Sequence, residues 1–148
     1  MSKRILILDD EMDSNITVGA VLQDNGFKVD SYEDPILALE NFKSYFYDLV
    51  ILDIKMPQMD GFVVYNEIKK LDNRIKVCFL TAGEIYYGRY ADSFSSVDVK
   101  CFIRKPIENE ELIKRVHHRK LIAVLYCRFW GILRWRQPPL FLFEYLQV

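Results

Sequence analysis

Five polar residues of this chain follow short apolar runs, and their side chain types could do chemistry together. They are Asp9, Asp10, Asp53, Thr81 and Lys105. Carboxylates that meet in one place repel each other unless they share a cation, and a site lined by hard oxygen ligands favours Mg²⁺. A lysine opposite them offers a positive charge to a phosphoryl group, and a threonine hydroxyl can donate a hydrogen bond to one of its oxygens.

Each of these residues also has an ordinary structural explanation. Asp9 and Asp10, with the neighbouring Glu11, could be solvated loop acids before a helix. Asp53 could be a turn residue, Thr81 a helix cap, and Lys105 a solvent-facing charge. Taken together, these explanations leave it to chance that three acids, a hydroxyl and an amine all follow apolar runs, four different runs in total. We therefore ask whether the fold brings the five residues to one place.

Short apolar runs separated by longer periodic stretches predict strands and helices in alternation. We expect strands at residues 5–8, 27–31, 49–52, 75–80 and 99–104. The first and third runs are wholly apolar, as is typical at the centre of a parallel sheet, whereas the fifth alternates and suits an edge.

The stretches between and after these runs carry helix signals. The first expected helix is capped by Ser14 or Asn15 and ends at Gly26, where the chain can adopt a left-handed conformation. The second begins at Asp34-Pro35 and runs through Phe42 and Phe46, and the third begins at Asp60-Gly61. Two further helices are expected over residues 85–94 and 106–116.

Five such units predict a doubly wound α/β fold, because each parallel crossover needs a connecting helix. The expected architecture is a flavodoxin-like three-layer sandwich around a five-stranded parallel sheet of order 2-1-3-4-5. In open sheets of this kind, ligands bind beyond the carboxyl ends of the strands, near the switch point between strands one and three. All five polar residues follow strands at that edge.

Four sequence segments resemble the receiver domain of two-component response regulators, the family of the chemotaxis regulator. They are ILILDDE at 5–11, LVILDIKMPQMDGF at 49–62, FLTAG at 79–83 and CFIRKPI at 101–107. They occur in the family's order and extend over about the first 116 residues. The combination is highly specific.

The resemblance implies a phosphoacceptor with a metal site. Asp53 would accept a phosphoryl group from a sensor histidine kinase or a phosphotransfer protein. Asp9 and Asp10 would be the acidic pair that holds Mg²⁺ together with Asp53, and the backbone carbonyl of Lys55 would be a further ligand.

The resemblance also implies a switch. Lys105 would form an ion pair with the phosphoryl group, Thr81 would supply the switch hydroxyl, and Phe102 matches the switch aromatic. Phosphorylation would then alter the face built from the helix at 85–94, the fifth strand and the last helix. That face would engage a downstream target or a second copy of the chain.

Two other classes of protein share parts of this pattern. A haloacid-dehalogenase-type phosphatase uses a strand-end aspartate as its nucleophile, but it has a second acid two residues later, where this chain has Lys55. A phosphorylation-independent, flavodoxin-like interaction module would keep the fold and lose the site, yet all five site residues are present.

The composition supports a globular protein, because 51% of the residues are hydrophobic and the chain has only 6 Gly and 5 Pro. With 20 Lys and Arg against 21 Asp and Glu, no face for direct nucleic-acid binding is expected. Cys78, Cys101 and Cys127 lie far apart without a CxxC pair, which predicts neither a disulfide framework nor a zinc site. The N-terminus carries no signal-peptide pattern, so we expect a cytoplasmic protein.

The composition changes near the C-terminus. Residues 117–148 hold one acid, Glu144, against the basic residues Arg119, Lys120, Arg128, Arg134 and Arg136. We therefore divide the chain into a receiver domain at 1–119 and an apolar, basic tail at 120–148 with no recognisable output domain.

The apolar part of the tail, residues 121–135, is shorter than the ~20 residues that a membrane span needs. Three interpretations of the tail stay open. It could extend the last helix and pack on its own domain or on a second copy, it could contact a membrane surface weakly, or it could be no natural continuation of the domain.

Overall fold

The parallel sheet has the strand order expected from the sequence. The computed structural model describes residues 2–81, 102–106 and 108–117. Its strands are β1 (Arg4–Leu8), β2 (Lys28–Tyr32), β3 (Leu49–Asp53), β4 (Lys76–Thr81) and β5 (Phe102–Arg104). They pair in the order β2-β1-β3-β4-β5, and every pair is parallel. The predicted doubly wound α/β fold is confirmed.

The described helices are α1 (Met12–Asp24), α2 (Pro35–Asn41), α3 (Gly61–Leu71) and α4 (Asn109–His117). Two of the predicted caps are formed: Asp34 accepts from the backbone amides of Ile36 and Leu37, and Asp60 accepts from that of Phe62. These bonds satisfy amide donors that the first turn of a helix leaves without partners. Gly26, expected in the left-handed region, has a φ of 84°.

Three predicted helix limits are wrong. α1 begins at Met12, because the side chains of Ser14 and Asn15 bond to the preceding loop and do not cap the helix. α2 ends at Asn41, before Phe42 and Phe46. The rings of these two residues pack on Tyr47 instead, at centroid distances of 5.7 and 5.0 Å. The last helix begins at Asn109, three residues later than expected.

The core lies on both faces of the sheet. Every residue of β3 is buried, as are all residues of β1 after Arg4. Phe79 of β4 is fully buried and contacts the rings of Phe62 and Tyr65 on α3, at centroid distances of 4.7 and 5.8 Å. The central strands are therefore enclosed by the helices and loops around them.

Cys78 of β4 is disulfide-bonded, and the other cysteine of that bond lies outside the described residues. The cysteine spacing, which predicted no disulfide framework, did not indicate this bond.

Two sequence predictions cannot be compared with the structure. The helix expected at 85–94 and the tail at 120–148 lie outside the described residues. Among the helices that are described, none is both long and apolar enough to span a membrane.

Candidate functional site

The strand register brings the sequence-predicted residues to one edge of the sheet. Leu8 pairs with Leu52, so the residues that follow, Asp9 and Asp53, lie side by side at the carboxyl ends of β1 and β3. Thr81 pairs with Arg104, which places Lys105 just beyond the end of β5. This edge is the switch point of the sheet, where open α/β folds bind ligands.

The ammonium group of Lys105 bridges the acids of this site. Its Nζ lies 2.5 Å from Asp9 Oδ2, 3.2 Å from Asp53 Oδ1 and 3.5 Å from Glu11 Oε2. Asp9 and Asp53 are buried, whereas Glu11 is exposed. The lysine thus offsets the repulsion between two buried carboxylates.

The carboxylate of Asp9 also accepts hydrogen bonds from the start of α1. The backbone amide of Glu11 donates to Oδ1 at 3.0 Å, and the hydroxyl of Ser14 donates to Oδ2 at 2.6 Å. Asn15 Nδ2 donates to the backbone oxygens of Asp9 and Tyr32 at 2.7 and 3.1 Å, which ties the loop after β1 to β2.

Asp53 is held at the end of β3 by the loop that follows it. The amide of Lys55 donates to Asp53 Oδ2 at 2.8 Å, and the amide of Ile54 donates to the carbonyl of Leu80 at 3.2 Å. Burial raises the pKa of the Asp53 carboxyl, Lys105 opposes that rise, and the neighbouring Asp9 adds to it. The charged form is thus less favourable than in water, as expected for a carboxylate that needs a cation.

The same groups act on Lys105 in the opposite sense. Burial alone would lower the pKa of its ammonium group, but the hydrogen bond to Asp9 and the charges of Asp53 and Asp9 outweigh burial. The net pKa is raised, so Lys105 is positively charged at neutral pH.

The donor set fits a divalent cation with a preference for oxygen. Asp9, Asp10 and Asp53 each offer one carboxylate oxygen, and these oxygens lie within 4.8 Å of one another. Two of the three residues are buried and Asp10 is exposed, so a bound ion would keep access to water. Carboxylate oxygens together with retained water are the coordination that Mg²⁺ prefers.

The start of α3 packs directly on the backbone of the Asp53 loop. The amide of Gly61 donates to the carbonyl of Ile54 at 2.9 Å. A Cβ at position 61 would overlap the carbonyl oxygen of Asp53 and lie 3.0 Å from the Cα of Ile54. Only glycine allows this approach, which sets the path of the chain after β3.

The two predicted switch residues lie on adjacent strands. Thr81 is buried at the end of β4, and its carbonyl accepts a hydrogen bond from the amide of Lys105 at 2.7 Å. Phe102 is partly buried and stacks on Phe79, at a centroid distance of 5.5 Å. Phe102 is therefore neither fully buried nor fully exposed on the edge strand.

Sequence reasoning missed three contributions to this site. Glu11 and Ser14 contact Lys105 and Asp9, but their sequence patterns suggested a loop acid and a helix cap. Gly61 was recognised as a helix start and not as a close contact of Asp53. For Ser14, the available signal was a hydroxyl in the first helical turn directly after the two acids.

The fold and the site together define a flavodoxin-like α/β domain with a lysine-bridged acidic cluster at its switch point. The model of the response regulator receiver domain matches residues 5–117, and the chain belongs to this family. It is therefore a signalling module of two-component systems.

Relatives of different chain lengths support the assignment to this family. The chemotaxis protein CheY of Bacillus subtilis is 31% identical, over 79% of this chain and 97% of that protein. The transcriptional regulatory proteins DltR of Streptococcus agalactiae and PrrA of Mycobacterium leprae are 32% and 33% identical over 78% of this chain. The chain spans about half the length of these two regulators, 51% and 48%.

Solved structures agree. The response regulator TrrA of Thermotoga maritima, in complex with Mg²⁺ and BeF, is 34% identical with a TM-score of 0.65, over 78% of this chain and 97% of TrrA. A receiver domain protein from Methanospirillum hungatei has a TM-score of 0.70 at 23% identity, over 80% of this chain and 94% of that one. The second similarity supports the fold alone.

Proposed function

We propose that this chain is a phosphorelay response regulator that accepts a phosphoryl group on Asp53 and thereby switches a partner-binding face. One observation carries the proposal: Lys105 bridges the buried carboxylates Asp9 and Asp53, beside a third acid, at the switch point of the sheet. A buried nucleophile beside a fixed positive charge suits phosphoryl transfer, where catalysis is mainly positioning and charge neutralisation.

The donor is a phosphohistidine on a sensor histidine kinase or a phosphotransfer protein. The bond between phosphorus and the imidazole nitrogen breaks, and an Asp53 carboxylate oxygen forms the new bond to phosphorus. The Lys55 amide fixes Oδ2 of Asp53, while Oδ1 lies toward Lys105. Lys105 then pairs with the negative charge that the phosphoryl group brings.

Mg²⁺ would be held by the carboxylates of Asp9, Asp10 and Asp53 and by the backbone carbonyl of Lys55. When bound, it would neutralise further negative charge on the phosphoryl oxygens. Asp9 is fixed by donors on both of its oxygens before any ligand binds. The Lys55 carbonyl as a ligand stays a prediction from the family resemblance.

Thr81 and Phe102 are the proposed link to the partner-binding face. The Thr81 hydroxyl would donate to a phosphoryl oxygen, and its movement would leave room for Phe102 to turn further inward. Phe102 already stacks on Phe79, so its movement is coupled to the core. The face that β5 and α4 would form with the helix expected at 85–94 would engage a downstream target or a second copy. The cytoplasmic location of the protein also stays a prediction.

A direct test uses the full chain with acetyl phosphate, or beryllofluoride, in the presence of Mg²⁺. We expect one phosphoryl group per chain by intact mass, dependent on Mg²⁺, and beryllofluoride-induced shifts in the amide NMR spectrum. No adduct and no spectral change would favour the alternative, a phosphorylation-independent interaction module with the same fold.

Replacing Lys105 with alanine separates metal binding from signalling. The variant should bind Mg²⁺ at least as tightly as the wild type, because a competing positive charge is gone. Without Mg²⁺ it should lose up to about 3 kcal/mol of stability, since two buried carboxylates lose their common partner. Its beryllofluoride-induced shifts in β5 should be much smaller. Markedly weaker Mg²⁺ binding, measured by NMR titration, would contradict the role given to Lys105.

The tail is proposed to mediate self-association or docking. Its apolar residues cover most faces of a helix, and such a surface rarely stays in water. Removing residues 120–148 should give a monomer by light scattering that still accepts a phosphoryl group on Asp53. A full chain that is itself monomeric, with a protease-sensitive tail both with and without beryllofluoride, would contradict this interpretation.

A further inference from the structure

The hydroxyl of Ser14 is bonded to a carboxylate that the proposed function assigns to the metal. We propose that Ser14 is a positioning residue: it holds the Asp9 carboxylate in the orientation that Mg²⁺ requires. This inference rests on the proposed function of the site. It adds a residue that does not itself touch the ion or the phosphoryl group.

The bond between Ser14 and Asp9 is short and part-buried. Ser14 Oγ lies 2.6 Å from Asp9 Oδ2, and the side chain of Asp9 has no exposed surface. This distance is typical of a hydroxyl that donates to an ionised carboxylate, one of the stronger hydrogen bonds in proteins. A buried carboxylate also depends on its donors, because water cannot replace them.

Without Ser14, the plane of the Asp9 carboxylate would be poorly fixed. The terminal torsion of aspartate has a broad energy minimum, so a single donor does not hold both oxygens in place. The amide of Glu11 bonds only to Oδ1. The ammonium group of Lys105 contacts Oδ2 of Asp9, but it also contacts Asp53 and Glu11. The position of the ammonium group is therefore not set by Asp9 alone.

Ser14 itself sits on a rigid support. It lies in the first turn of α1, and its neighbour Asn15 ties that turn to the backbone of Asp9 and Tyr32. The carboxylate is therefore oriented by a helical turn that hydrogen bonds hold to the loop after β1 and to β2. Residues that hydrogen-bond to metal ligands in this way commonly change metal affinity 10–100-fold when removed.

The test compares Mg²⁺ binding by the full-length wild type, Ser14→Ala and Ser14→Thr, with Mg²⁺ alone as the probe. The amides of Glu11 and Lys55 donate to Asp9 and Asp53, so their NMR shifts report binding at both acids. We expect Ser14→Ala to bind Mg²⁺ about tenfold more weakly at both amides. Ser14→Thr keeps the hydroxyl and should bind within about threefold of the wild type.

Ser44→Ala is the matched control, because it also removes a hydroxyl that donates a hydrogen bond, in this case to the backbone carbonyl of Leu71, before β3 and away from the site. It should leave Mg²⁺ affinity unchanged. Unchanged or tighter binding by Ser14→Ala, even with a lower melting temperature, would mean that Ser14 only stabilises the helix. Equal losses in Ser14→Ala and Ser14→Thr would also overturn the inference. A wild type that binds no Mg²⁺ would overturn the proposed function with it.

Discussion

Asp53→Asn is expected to abolish phosphorylation by every donor. The amide is a poor nucleophile, and the substitution removes one of the three carboxylate charges that would bind the cation. The substitution keeps the size of the side chain, and the amide oxygen can still accept from Lys55, so the fold should be retained. Intact mass after incubation with acetyl phosphate and Mg²⁺ should show no adduct in the variant and one in the wild type.

Asp34→Asn provides the matched control for this experiment. Asp34 caps α2 with its side chain, and asparagine caps helices about as well as aspartate, so both stability and phosphorylation should stay unchanged. Stoichiometric, Mg²⁺-dependent labelling of Asp53→Asn would refute the assignment of the phosphoacceptor. Loss of labelling in both variants would point to a general effect of lost negative charge.

Much of the fold follows from local sequence patterns. Apolar runs such as residues 49–52 mark buried strands, and parallel crossovers bring the ends of those strands to one edge. Asp9 and Asp53 could therefore be placed together without a structure. Their roles as metal ligand and phosphoacceptor remain predictions.

The parts that sequence reasoning did not give depend on tertiary contacts. Ser14 has the pattern of a helix cap, but its hydroxyl bonds to Asp9, which only the packed loop brings within reach. Phe42 has the spacing of a helical core residue, yet it leaves α2 to stack on Tyr47. In both cases the side chain contacts a residue that the local sequence pattern does not include, and this contact replaces the one that the pattern predicted.

The second large effect is expected at Gly61, where the first residue of α3 meets the backbone of the loop after Asp53. A Cβ at this position would overlap the carbonyl oxygen of Asp53 and lie 3.0 and 3.1 Å from the Cα of Ile54 and the carbonyl carbon of Asp53. These are backbone atoms, so no side chain rotation can relieve the overlap. Gly61→Ala should therefore destabilise the protein by about 3 kcal/mol in urea unfolding.

The same substitution should also slow phosphorylation. Relief of the overlap requires α3 to move away from β3, which displaces Asp53 and weakens the bond from the Gly61 amide to Ile54. A displacement of about 1 Å at a reacting group can reduce the rate about 100-fold, so we expect a loss of that order with acetyl phosphate. Gly19→Ala is the control: its Cβ would meet its nearest neighbours at 3.8 Å, and in α1 alanine should add up to ~1 kcal/mol of stability. If Gly61→Ala unfolds and reacts like the wild type, α3 can move without displacing Asp53, and the close contact does not position the phosphoacceptor.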